Sequence, residues 1–172
     1  MRSWYRNIPI GLIITIGIGI YGYLQVSDSK KDSTTRSEDG EVIEAGEVGV
    51  EVLKISDCVK FPNDMKIGDP NKTYEFSSFK VAPCTDLHDA EMFSMKILAF
   101  TPYPGEDALY GELSDFCVDD FTSYTGLQYD SSSPYKILPL IPLEEGWSNG
   151  DRRVNCLAAL ISGEKLSSSI RG

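Results

Sequence analysis

The chain has 172 residues, with 26 acidic against 16 basic side chains and a net charge of −10. That length holds one ordinary domain and an accessory segment. The acidic balance argues against nucleic acid as a partner, since that needs a basic face, and against direct adhesion to anionic lipid.

From the N-terminus, the stretch from Asn7 to Ser27 carries no charge. At ~1.5 Å rise per residue it covers the roughly 30 Å hydrocarbon core of a bilayer. It is expected as a transmembrane anchor over residues 7–27, behind a cytoplasmic stub of residues 1–6. A cleaved secretory signal shares the basic start at Arg2 and Arg6, but Gln25-Val26-Ser27 is a poor cleavage site. A buried helix has no need to be apolar on every side. Gly11, Thr15 and Gly19 recur at four-residue intervals, the spacing that lets two membrane helices approach closely, although glycine is also simply common in such helices. Arg2 and Arg6 precede the span while Lys30, Lys31 and Arg36 follow it, so basic residues alone do not orient it.

Residues 28–47 are polar and charged, and read as a flexible linker. The folded domain is expected over residues 48–172. Alternation of Val48, Val50 and Val52 predicts a half-buried strand over 48–55, ending at Ser56-Asp57-Cys58. Residues 61–73 hold Pro62, Gly68 and Pro70 and read as a loop. Asn71-Lys72-Thr73 within it matches a glycosylation acceptor, without further support. Residues 76–83 and 91–100 are the next strands, the latter with Phe93, Met95, Ile97 and Ala99 on one face.

Residues 105–124 predict the one long helix, because Leu109, Leu113, Phe116, Cys117 and Phe121 recur at spacings of three and four. Gly126 suits its end. Residues 135–141 and 153–161 are two further strands. Pro142 to Trp147 forms a loop or a single helical turn between them, and Asn149-Gly150 a tight turn. The order β-β-β-α-β-β predicts an α+β domain, a small antiparallel sheet of about five strands packed on one helix.

The four cysteines lie 26, 33 and 39 residues apart with no C-x-x-C. This suits two disulfides in an oxidising compartment, zinc being the alternative that lacks paired short spacings. The N-terminus is therefore expected in the cytoplasm and the domain outside. The pairing Cys58–Cys84 and Cys117–Cys156 is expected because Cys58 and Cys84 end adjacent strands, and because Cys117 lies on the helix face that covers the strand of Cys156.

An ordered set of marks runs through the domain. It comprises Asp57-Cys58, Pro83-Cys84, His88-Asp89-Ala90-Glu91, Tyr103-Pro104-Gly105, Cys117 and Trp147. Gly150-Asp151-Arg152-Arg153-Val154-Asn155-Cys156 and Ser169-Ile170-Arg171-Gly172 complete it. Over about residues 50–172 this set resembles the septum-formation domain family of actinobacterial membrane-anchored envelope proteins. Two departures are Ser56, where the family usually has glycine, and Leu87, where proline is common. The resemblance implies a single-pass envelope protein linked to cell division, with no agreed activity. Independently, no phosphate loop, dinucleotide fingerprint or zinc-protease helix is found, and no cofactor is expected.

Six residues are candidates for a binding or structural cluster: His88, Asp89, Glu91, Trp147, Asp151 and Arg152. His88 is the only histidine. No Gly-x-Ser-x-Gly or comparable nucleophile setting accompanies it, and His88-x-x-Glu91 lacks a second histidine for a metal. It is expected to bond a carboxylate or main-chain carbonyl and hold the connection after Cys84. Arg152 is expected to clamp Asp89 or Glu91, with recognition of an anionic envelope group as the alternative, while Arg153 points to water. Trp147 is expected to cover the core, or else to offer a platform to a sugar or peptide.

These features favour a non-enzymatic, membrane-tethered extracytoplasmic module that binds a division protein or wall component. The alternatives are a small envelope hydrolase using His88 and nearby carboxylates, and a structural stalk whose membrane helix recruits the partner.

Overall fold

The computed structural model describes residues 32–62, 65, 74–99 and 101–172. The expected anchor, the stub before it and the Asn71 acceptor lie outside the described residues. Among the described residues no helix is long and apolar enough to cross a membrane.

The fold is α+β. Short strands β1 (Thr35–Arg36) and β2 (Val42–Glu44) form a two-stranded sheet. The main sheet contains β3 (Gly46–Gly49), β4 (Cys58–Lys60), β5 (Ser78–Ala82), β6 (Ala90–Ile97), β7 (Tyr135–Leu140) and β8 (Arg153–Leu160). Their order is β3-β5-β4-β6-β8-β7 and every neighbouring pair is antiparallel. Helix α1 (Glu106–Thr125) separates β6 from β7, and the short α2 (Glu144–Ser148) separates β7 from β8.

Helix α1 lies where the apolar stripe places it. Leu109, Leu113, Cys117 and Phe121 are all buried, one residue per turn along a single face. They meet Phe93, Val154, Cys156 and Ala158 of the sheet. Full burial of a side chain such as Leu113 or Phe121 stabilises the fold by about 1.5–3 kcal/mol. The helix stops at Gly126, whose φ of 72° is left-handed and whose N–H returns to Thr122 O at 2.9 Å.

The opposite face of the sheet is also covered. Val59, Val81, Met92 and Leu157 pack there with Leu53 and with half-buried Val42, Val50 and Val52. This explains why the strand expected over 48–55 stops at Gly49. Val50–Val52 turns into a 3₁₀ helix and lies over the sheet as a roof. Asn155 Nδ2 donates to Val50 O at 2.9 Å to hold it.

Three further expectations are corrected. Residues 32–47 are not a bare tether: they carry β1, β2 and the start of β3, because Arg36 and Val42 both find buried partners. The main sheet has six strands rather than five, β4 being a three-residue strand in what reads as a strand end and loop. In β6 the pairing slips between Met92↔Leu157 and Ser94↔Cys156. The extra residue is a bulge that reverses the alternation beyond it. Phe93 and Ser94 are therefore both buried, whereas Met95 is 36% and Ile97 59% exposed.

Both outer edges of the sheet are occupied. Ser33 lies against β3, its N–H on Glu47 O at 2.9 Å and its Oγ accepting Glu47 N–H at 2.7 Å. Gly46 permits this approach, since a Cβ there would sit 2.4 Å from the Ser33 carbonyl carbon. On β7, Tyr135 N–H goes to Ser133 Oγ at 3.3 Å, Ile137 N–H goes to Tyr129 Oη at 3.4 Å, and Pro139 has no N–H to offer. A strand added from outside would find these donors spent or missing.

Candidate functional site

The first motif block folds into a buried polar knot. His88 sits between the Cys84 turn and β6 and is fully buried. Its main chain exchanges two hydrogen bonds with Leu166, at 3.0 and 2.8 Å. The ring Nδ1 lies 2.8 Å from Asp86 O. A carbonyl only accepts, so Nδ1 carries a proton. Nε2 is buried with no hydrogen-bond partner among the described residues. The main-chain bond is the one expected for a histidine that pins a turn.

Glu91, one strand residue into β6, is fully buried as well. Its Oε1 accepts Tyr124 Oη–H at 2.6 Å and Ser169 Oγ–H at 2.8 Å, and its Oε2 accepts Ile170 N–H at 2.7 Å. Three donors offset the cost of burying a carboxylate. Burial, then the hydrogen bond to Glu91, pushes the Tyr124 phenol up to about 12. Since Tyr124 donates to Glu91, Ser56 Oγ donates to Tyr124 Oη, at 2.8 Å. Ser56 has φ 76°, a left-handed conformation that favours glycine, which accounts physically for the glycine usual at this position in the family pattern. Gly172 N–H closes the knot on Tyr124 O at 3.2 Å.

The disulfide Cys58–Cys84, with Cα atoms 5.3 Å apart, borders this knot, and Cys117–Cys156, at 5.8 Å, joins α1 to β8. Both pairings are those expected. Cys58, His88 and Glu91 bring possible ligand atoms within 4.8 Å of one another. That set fits a metal poorly: the Cys58 sulfur is bonded to Cys84 and the Glu91 oxygens already take three donors.

Beside Cys58, Asp57 is 2% exposed and receives Arg36 through two nitrogens, at 2.7 and 3.1 Å, and Lys54 N–H at 2.9 Å. Neither Arg36 nor Tyr124 stands out by sequence pattern. The only signal for Asp57 is its place beside Cys58.

The second block lies elsewhere. Ala90 pairs with Ala159, but Ile97 pairs with Arg153, so antiparallel register sets the Arg152 end of β8 roughly 20 Å along the sheet from Glu91. The expected clamp of Arg152 on Asp89 or Glu91 is therefore not formed. Asp89 instead accepts Phe61 N–H at 2.8 Å and pairs with Lys165 at 2.5 Å. Arg152 lies over the Trp147 ring, 3.9 Å from its centroid, and donates to Trp147 O and Asp151 O, each at 2.7 Å.

Trp147 is 5% exposed and donates Nε1–H to Thr101 O at 2.9 Å, so it covers the core. Arg153, expected to face water, is the anchored arginine. It donates to Asn155 Oδ1 at 2.8 Å, to Glu51 O at 3.0 Å and to Leu53 O. Burial lowers its pKa, and the nearby Asp151, Glu51 and Asp57 counter this. Asp151 accepts Arg153 N–H at 2.9 Å and shapes the turn before β8.

Chemically, the two blocks brace the fold. The described residues place no hydroxyl or thiol on the His88 ring. An open cleft lies apart from both blocks, where Tyr74, Phe76, Leu143 and Tyr110 meet Glu75 and Glu106. Its volume is about 80 Å³, well below the roughly 300–1,000 Å³ typical of small-molecule pockets.

Comparison with curated proteins and with solved structures returns no match. The family model described as septum formation matches residues 56–171. Its limits enclose Asp57, both disulfides, the His88–Glu91 knot and the Arg152–Arg153 turn. The chain belongs to the septum-formation family.

Proposed function

We propose that this protein is a non-enzymatic binding and structural module of the cell envelope, held on the outer side of the membrane by residues 7–27 and acting in division or wall growth. One observation carries the reading: His88 and Glu91, the polar residues that lead the first block, are spent inside the fold, fully buried and each tied to the 166–172 segment. The two disulfides support an oxidising compartment. The rival reading, a small hydrolase, needs the single imidazole in a cleft beside carboxylates. Here the His88 ring is bonded to the Asp86 carbonyl in a turn instead.

Full-length protein carrying a fluorescent tag that matures outside the cytoplasm should concentrate at division sites, and the anchor alone should not. An even distribution around the cell would overturn the reading. So would wall hydrolysis by the purified protein that His88→Asn abolishes while the fold persists. A reporter active only in the cytoplasm, fused after Gly172, should stay silent.

A further inference from the structure

We propose that the cleft between Tyr74, Glu75, Phe76, Glu106, Tyr110 and Leu143 receives a lysine side chain presented by a partner polypeptide. The inference rests on the reading of the domain as a binding module and names the chemistry of what it binds.

Charge is the first argument. The cleft is lined by two carboxylates, Glu75 and Glu106, and by no Lys, Arg or His among the described residues. Further acidic residues adjoin the lining in the chain: Asp107 shares the first turn of α1 with Glu106, and Glu144 and Glu145 open α2 after Leu143. The phenols nearby register this field. Tyr103 is pushed up by burial and then by Glu106 and Glu144, and Tyr110 by burial and then by Glu106. Among the described residues no cation pairs with these carboxylates, and such a group favours one.

The walls supply the second argument. Tyr74 and Phe76 stack with centroids 6.3 Å apart, and Tyr110 is 44% and Leu143 37% exposed. An ammonium group is attracted to aromatic faces, while its alkyl stem packs along Leu143 and the adjoining Leu140 and Ile141.

Size is the third. About 80 Å³ admits the end of one side chain and leaves the body carrying it outside. A sugar ring or a drug-sized molecule needs several times that volume. The partner must also bind through side chains, because the outer donors of β7, the neighbouring edge strand, are already spent or missing.

The test uses the full-length chain in detergent micelles and heteronuclear NMR. The probes are a blocked pentapeptide of alanines around one central lysine, its acetyl-lysine counterpart, and a wall fragment bearing a free amine. The lysine peptide should give saturable shifts at Tyr74, Glu75 and Tyr110 that weaken as salt is raised. Acetylation should abolish them. The exposed double substitution Glu75→Gln, Glu106→Gln should weaken binding about tenfold with an unchanged melting curve. Absence of lysine-peptide shifts, equal binding of the acetylated peptide, or unchanged affinity in the double variant would each overturn the proposal. Binding of the wall fragment with the peptide silent would overturn the polypeptide occupant. None of these results alters localisation at division sites, so failure of the cleft and failure of the module reading are separable.

Discussion

Arg36 reaches across 21 residues of sequence to Asp57 and grips it with both terminal guanidinium nitrogens, Nη1 on Oδ1 at 2.7 Å and Nη2 on Oδ2 at 3.1 Å. Asp57 is 2% exposed, so removing its partner strands a buried carboxylate. Burial alone would lower the Arg36 pKa, and the bonds to Asp57 and Asp32 raise it instead. Arg36→Ala should cost about 3–5 kcal/mol, read as a fall in the urea midpoint. Deleting residues 28–36 should cost at least as much. A bare tether in this region would predict no change in either experiment.

The two adjacent arginines of the second block should differ in the sense opposite to that expected from sequence. Arg153 donates to Asn155 Oδ1 and to the carbonyls of Glu51 and Leu53, holding the roof over the sheet. Hydrogen bonds to charged groups contribute about 1.5–3 kcal/mol net of exchange with water, and those made by one side chain do not simply add. Arg153→Ala should therefore destabilise by about 3 kcal/mol, and by more than Arg152→Ala, whose stack on Trp147 and bonds to the Trp147 and Asp151 carbonyls join residues within five positions of one another and tie down no distant segment. Paired thermal melts give the order directly, and a larger drop for Arg152→Ala would contradict the placement.

The Tyr124 phenol makes stability depend on alkaline pH. Its pKa rises from 10.0 to about 12 on folding, through burial and then the hydrogen bond to Glu91. Between those values the unfolded chain has released a proton that the folded chain keeps. The native state binds more protons, so stability falls as pH rises. The contribution is complete below about pH 10 and lost by about pH 12. Urea midpoints measured across this window should decline less steeply in Tyr124→Phe than in the unaltered protein. Identical slopes would show that Tyr124 ionises no differently in the fold.

The two disulfides should differ in accessibility more than in worth. They close loops of 26 and 39 residues, for which chain entropy gives roughly 3.5–4 kcal/mol each. Cys117 and Cys156 are both fully buried, whereas Cys84 is only half-buried. Under mild dithiol treatment of the folded protein, Cys58–Cys84 should open first. Alkylation and peptide mapping at intervals would reverse that order if the helix contact opened more readily than the Cys84 turn.

Sequence periodicity alone was enough for α1, for the spans of β5, β7 and β8, and for both cysteine pairs. These are local matters: a stripe at three- and four-residue spacing buries one helix face, and a strand end brings its cysteine beside the next. Four other features follow only from tertiary packing. β4 is three residues long and owes its existence to β5 and β6 on either side. The Phe93 bulge turns Met95 and Ile97 outward, against the alternation of their own strand. Antiparallel register carries Arg152 away from Glu91 and leaves Arg153 beneath the roof. The ordering of residues 32–47 depends on Asp57 waiting, desolvated, for Arg36. In each case the deciding energy is a contact between segments tens of residues apart, and such a contact leaves no periodic trace in the residues that make it.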